Sequence, residues 1–276
     1  MNKTGRIVTT IALVIITVFM AVPFLWAVLL SFRTNAELFS NPLSLPISWN
    51  FDNYNRAMQT LNLPRLYFNT IYVLFFSIGI SLVITFMSSY AISRMVFRSK
   101  RFKDAIYTYL ILGLMIPPFI LLFPIYWIGV TLGIHMTRWP LILAYIATNV
   151  SFNTLVLTNF FRSIPVEMEE AALMDGCELF RLCVQIIVPI AKPAITTVFI
   201  FNTLYVWNEF PFASILLPTQ DMFTLSLGAS FFRGLYTVDM TGIIASSLLI
   251  IIPQLVFYGI FQRNIVEGMT AGAVKG

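Results

Sequence analysis

Six stretches of mostly apolar residues, about 7–32, 66–93, 105–131, 139–161, 193–217 and 242–262, alternate along the chain with short polar segments. A bilayer span needs about 20 such residues, and each run reaches that length. Inside hydrocarbon a backbone must satisfy its own polar groups, so runs this long predict helices; barrel strands would show about 10 residues alternating in polarity. The expected fold class is all-α: a polytopic membrane protein with six transmembrane helices. The first run begins near Met1 but far exceeds a signal-peptide core of about 7–15 residues, and no small-residue cleavage site follows it. It reads as a retained helix.

Composition agrees with the pattern. Of the residues, 58% are hydrophobic and 11% charged, and mean hydropathy is +0.85, whereas a soluble domain carries about 25% charge. Lys and Arg fall unevenly. With both termini on one side, that side holds twelve of the 17 basic residues, and "RSKRFK" at 98–103 dominates the difference. The positive-inside rule therefore puts both termini and this loop in the cytoplasm. The net charge of +5 is thus a topology signal, and nothing suggests nucleic-acid binding; contact with lipid headgroups is compatible with the same orientation. Cys177 and Cys183, six residues apart on the predicted cytoplasmic side, lack partners for a metal site and read as small hydrophobes.

The segment 163–194, "SIPVEMEEAALMDGCELFRLCVQIIVPIAKPA", is too long for a tight connection and too patterned for disorder. Pro165 suits a first helical turn, and Glu167, Glu169 and Glu170 suit its positive dipole end. Gly176 allows a left-handed stop. A second helix follows, with Leu179, Leu182, Cys183, Ile186 and Ile187 at helical spacing, and Pro189 is expected to end it. One reading is an interfacial hairpin that ties two spans together. The small surface of Ala171 and Ala172 beside carboxylates favours the other, a rigid helix docked in a groove of a second protein.

Glu170-Ala171-Ala172, Gly176, Ile186 and Val188-Pro189 resemble, in identity and spacing, the EAA loop of binding-protein-dependent ABC importers, departing only in Val188, where Leu is usual. "FDNY" at 51–54, "WNEFPF" at 207–212 and the tail "TAGAVKG" at 270–276 extend the resemblance to the smaller, maltose-transporter-like permeases for carbohydrate uptake. The resemblance implies that the chain is a single importer transmembrane domain over 1–276, with a coupling loop at 163–192. It implies that Glu170, Ala171, Ala172 and Gly176 engage a cytosolic ATPase, and that the permease pair rocks between inward- and outward-facing states. It further implies a second homologous permease subunit, two copies of the ATPase subunit, an extracytoplasmic solute-binding protein and a bacterial cytoplasmic-membrane location. The tail is implied to slip between the ATPase subunits, and the outer stretch 228–236 to reach into the binding protein. No GxxxxGK[ST] occurs in the sequence, so ATP must be hydrolysed elsewhere; no cofactor and no catalytic residue is expected on this chain, and ATP and Mg are expected on the partner ATPase.

Two polar stripes are candidates for the substrate pathway. Tyr145, Asn149 and Asn153 recur at i, i+4 and i+8, and Asn202, Tyr205 and Glu209 at i, i+3 and i+7, with Asn208 beside them. Such groups either line a cavity or bond across packed helices. Glu209 is the one ionisable residue well inside an expected span, which makes it either a site residue or a structural charge near the outer end. Pro117-Pro118 predicts a kink in the third run, for a gate or for packing. The outer segment 33–65, rich in Asn, Pro and Ser, is suited to a docking partner. An ion-coupled secondary transporter is the main rival, but it would carry paired repeats and several midplane carboxylates. A membrane enzyme would need a cluster of His, Asp or Cys in the spans. Spacing alone fits importers of other small solutes equally well; the resemblance is what points to sugars.

Overall fold

The computed structural model describes residues 3–232 and 238–271. Residues 233–237 of the expected outer docking stretch and 272–276 of the tail lie outside them. Helices dominate: α1 (Lys3–Leu30), α2 (Asn35–Ser40), α3 (Asp52–Thr60), α4 (Leu63–Arg94), α5 (Lys100–Leu112), α6 (Leu122–Thr131), α7 (Trp139–Ser163), α8 (Glu167–Met174), α9 (Leu179–Leu182), α10 (Val188–Asn208), α11 (Pro211–Leu216) and α12 (Met240–Ala271). Among the described residues, five helical stretches are long and apolar enough to cross a membrane, or six if one bent pair counts as a single span. The chain is an all-α, multi-pass membrane protein.

Three expectations about helix limits are corrected. The run 105–131 is not one kinked helix. Lys100–Met115 and Pro118–Thr131 meet at 98°, because Pro117 and Pro118 both lack the N–H that would continue the ladder, and Pro117 is extended at φ −60°, ψ 123°. The run 193–217 is not one helix either. α10 stops at Asn208, Glu209 is extended, and Pro211 starts α11. Nor does Pro189 end a helix. From Leu179 the chain passes through a π turn, Cys183–Ile187, directly into α10, giving a continuous stretch Leu179–Asn208. The wider turn sends the Val188 N–H to the Cys183 carbonyl and absorbs the donor that proline lacks.

By internal contacts the chain divides into two compact units, Met1–Pro64 with Leu227–Pro253, and Arg65–Ser226 with Gln254–Gly276. In the first, the apolar window of α1 buries none of its residues against the rest of the chain. The segment after it is tightly built. Arg33, 1% exposed, donates to the carbonyls of Asn41 (2.8 Å) and Pro42 (3.3 Å) and to Ser44 Oγ (2.9 Å). Thr34 and Glu37 form a reciprocal capping box at the start of α2. Buried Asn53 donates to the Ser31 and Arg33 carbonyls, both at 2.7 Å, and Phe32 packs among the rings of Trp49, Phe51 and Tyr54. The "FDNY" tetrapeptide is thereby a structural element: its Asn and its rings hold the end of α1. Asp239 accepts from Asn35 Nδ2 (2.8 Å) and the Gly242 N–H (2.9 Å) and pairs with Arg56 at 3.4 Å, which secures the start of α12.

The second unit is organised around α7. In its span window 56% of residues are buried, against 33% for α4. α5, α6, α10 and α11 all pack on it. Small hydroxyl residues Ser77, Ser81, Thr85 and Ser89 form a buried stripe at four-residue spacing on α4, and such stripes let helix backbones approach closely. Ser77 Oγ donates to the Val73 carbonyl and Thr85 Oγ1 to the Ser81 carbonyl, both at 2.6 Å, so these hydroxyls are satisfied within their own helix. At one end, Tyr90, Leu157, Phe161, Leu182, Ile187 and Val198 close a core shared by α4, α7, α9 and α10.

Partial burial raises the affinity of the Asp239 carboxyl for its proton, but the bonds from Asn35, the Gly242 N–H, Arg56 and Thr241 outweigh it, and its pKa lies below the ordinary 3.8. The unfolded chain then binds the proton more readily, so this tether contributes fully above pH 3.8 and is lost as pH falls through the lower folded value. Hydrogen exchange at the Thr241 and Gly242 amides should be flat from pH 8 to about 5, once corrected for intrinsic rates, and protection should fall only below the usual carboxylate range. Asp239→Asn should abolish that acid limb.

Candidate functional site

Two places concentrate the polar chemistry of the second unit. The first is the helix–turn–helix at 167–188. α8 ends in a Schellman arrangement: the Gly176 N–H bonds the Leu173 carbonyl and the Cys177 N–H bonds the Ala172 carbonyl, both at 3.0 Å. Gly176 has φ +78°, a left-handed backbone that costs a residue with a Cβ about 1–2 kcal/mol. The glycine stop expected from the sequence is thus present. Glu170 and Ala171 are exposed, as are Leu173 (52%), Met174 (88%) and Phe180 (81%). Ala172 is half-buried and packs on the core formed by Tyr90, Leu157 and Phe161. One face of α8 is free and the other is anchored in its own chain.

The anchor is a group that the sequence reading had treated only as a dipole-compatible acid. Glu169 is 5% exposed; it accepts from Arg94 Nε at 2.6 Å and from Tyr90 Oη at 2.9 Å. Arg94 also donates to the Ile164 carbonyl at 2.8 Å, at the C-cap of α7. The sequence signal was limited to an arginine in the last turn of a span, which could equally have faced water.

The second place is a cavity of about 480 Å³ in the elbow of the bent α5–α6 segment, closed by α7 and α10. Asn149, Asn202 and Tyr205 line it together with Thr148, Phe152 and Phe201. The elbow can sit this close because Gly113 has no side chain: a Cβ there would collide with Ser151 Oγ. Asn149 is 4% exposed and its amide nitrogen has no partner among the described residues. Asn202 Nδ2 donates to Asn153 Oδ1 at 3.0 Å, joining α10 to α7. The two stripes therefore do both jobs considered for them: Asn149 and Tyr205 face the cavity, Asn153 bonds across helices, and Asn202 does each. Asn208 is exposed and donates back to the Leu204 carbonyl. Thr148 and Phe152 escaped the sequence reading because a lone threonine or phenylalanine in an apolar run carries no distinguishing spacing.

Tyr145 and Glu209 are brought together elsewhere. Tyr145, 1% exposed, donates its hydroxyl to Glu209 Oε2 at 2.7 Å. Glu209 also accepts the N–H of Phe212 (2.7 Å) and of Ala213 (3.1 Å). Both carboxylate oxygens are committed to the chain, where they cap α11 and replace the acceptors lost when α10 stops. No group of three or more His, Cys, Asp or Glu suited to a metal exists among the described residues.

Residues 84–270 match the model of the binding-protein-dependent transport system inner membrane component family. The chain belongs to that family. Among its relatives, the diacetylchitobiose uptake system permease protein NgcG of Streptomyces coelicolor is 32% identical, over 95% of this chain and 87% of its own length. The galactooligosaccharides transport system permease protein GanQ of Bacillus subtilis is 31% identical, over 99% and 98%. A crystal structure of a bacterial ABC transporter that imports the acidic polysaccharide alginate holds a chain of the same fold. It aligns with TM-score 0.78 and 21% identity over 95% of this chain and 98% of that one. In this ABC permease the 167–188 element lies inside the family match.

Tyr145→Phe removes one donor to a buried carboxylate and should cost about 1.5–3 kcal/mol; Glu209→Leu, which orphans two buried N–H groups, should cost more. Thermal unfolding of the detergent-solubilised protein measures both. Unchanged midpoints would show that the turn at 209–211 does not rest on this carboxylate.

Proposed function

We propose that the chain is a permease subunit of an ATP-driven importer for a sugar or oligosaccharide, working by alternating access in a bacterial cytoplasmic membrane. The observation that carries the proposal is the exposed Glu170-Ala171 face of α8, held at a fixed angle by the left-handed Gly176 and backed by buried Glu169. A helix free on one face and clamped on the other is suited to receive a push and pass it on. In this proposal both termini and the 163–192 loop are cytoplasmic. The chain acts as a single transmembrane domain beside a second homologous permease. Each permease docks one of two ATPase subunits, which hold ATP and Mg, and an extracytoplasmic solute-binding protein delivers substrate. The basic cluster at 98–103 then faces the anionic headgroups of the inner leaflet.

Substrate passes the cavity lined by Asn149, Asn202 and Tyr205. Unpartnered Asn149 offers a donor to a passing hydroxyl, and Tyr205, Phe152 and Phe201 offer aromatic faces. A neutral, amide-and-aromatic lining suits sugars better than ions, and relatives named for diacetylchitobiose and galactooligosaccharide uptake support that class.

Reconstitution with the partner permease, ATPase and binding protein tests the proposal. Gly176→Asp should still insert and assemble but should hydrolyse ATP with little uptake, because the turn is strained and a charge enters the docking face. Normal uptake by that variant counts against docking at α8. Asn149→Ala should lower oligosaccharide uptake by about tenfold, as expected when one polar contact is lost in a dry site, and leave basal ATP hydrolysis unchanged. If Asn149→Ala and Asn202→Ala both transport at the native rate, the cavity is not on the pathway.

A further inference from the structure

We infer that Arg94 and Glu169 form a buried strut that transmits movement of the docking helix to the second span, a positioning role resting on the proposed docking of α8. Glu169 immediately precedes Glu170, yet it points the opposite way. Glu170 is exposed, whereas the side chains of Arg94 and Glu169 are 11% and 7% exposed. Their 2.6 Å contact joins α8 to the last turn of α4. The same guanidinium reaches the Ile164 carbonyl at 2.8 Å, so one side chain grips the ends of α4 and α7 and the first turn of α8. Tyr90, one turn earlier on α4, adds a second bond to the Glu169 carboxylate at 2.9 Å.

This arrangement differs from a contact that only adds stability. A buried charge pair is a poor source of net stability, because desolvating both ions offsets much of their attraction. It is, however, stiff and directional: one carboxylate is fixed by two donors on the same helix, four residues apart, and cannot slide along α4 without leaving a buried charge unpaired. An apolar contact at this point would tolerate slippage. α8 and α4 must then move as one body, and α7 is held to them through Ile164. Without the pair, the anchored face of α8 would rest on half-buried Ala172 and the apolar core alone.

The test separates this inference from the docking reading beneath it. With the complete importer in proteoliposomes, uptake per ATP hydrolysed is measured for native protein, Glu169→Gln, Arg94→Lys and Tyr90→Phe. Crosslinking from Glu170→Cys to the ATPase is measured in parallel, in a background with Cys177 and Cys183 replaced by Ser. Loss of Glu169 charge should lower uptake per ATP about tenfold while the crosslink persists, in keeping with couplings carried by one element between two sites. Tyr90→Phe should lower the ratio about twofold, and Arg94→Lys, which keeps the charge, should lie between native and Glu169→Gln. A merely stabilising pair would reduce uptake, ATP hydrolysis and crosslinking in proportion and leave the ratio unchanged; that result overturns the strut. Should Glu169→Gln not accumulate, Tyr90→Phe and Arg94→Lys carry the same test. Absence of the crosslink in otherwise native protein would remove the docking reading instead.

Discussion

Hydrocarbon offers no hydrogen bonds, and that constraint shapes three interruptions of the apolar runs among the described residues. Where α10 stops, the Glu209 carboxylate takes up the N–H groups of Phe212 and Ala213 and the hydroxyl of Tyr145. Where Pro189 cannot donate, a π turn shifts the preceding bond to the Cys183 carbonyl. Where Pro117 and Pro118 interrupt a span, the missing donors are those of the prolines themselves, and the chain turns by 98° with short 3-10 segments on both sides. The breaks are places where a local acceptor or a missing donor makes the interruption affordable.

Function follows from the geometry of these breaks. The elbow at 116–118 opens a cavity beside α7 that an uninterrupted helix would fill. The continuous passage from α9 into α10 makes the second arm of the 167–188 element the base of a span. The Schellman turn at Gly176 fixes the angle between α8 and that arm. α8, the span and cavity-lining Asn202 and Tyr205 thus lie on one stretch of chain with a single tight turn, at 174–178.

Much of this was legible beforehand. The apolar runs, the left-handed glycine and the helix–turn–helix at 167–188 follow from periodicity, charge and residue type, because each depends on interactions within a few residues. That Asn149, Asn202 and Tyr205 line a cavity follows the same logic, since a polar group in an apolar run must have a partner or a cavity. The same logic could not divide the stripes. Asn153 and Asn149 are one turn apart on one helix and alike in type, and both amide nitrogens lack a partner among the described residues, but only the packing of α10 brings a donor to the Asn153 carbonyl oxygen.

What the sequence alone determined is the all-α membrane class, the order of apolar runs and the form of the helix–turn–helix at 167–188, all set by transfer free energies and local backbone preferences. Tertiary structure decided three things. It made Glu209 a cap, it turned adjacent Glu169 and Glu170 to opposite sides of α8, and it made Arg94 a clamp on three helix ends. Each depends on which group from a distant part of the chain arrives within bonding distance, and in a low-dielectric interior that arrival sets the role of a charge. Residue type and spacing record that a charge exists; only packing supplies its partner.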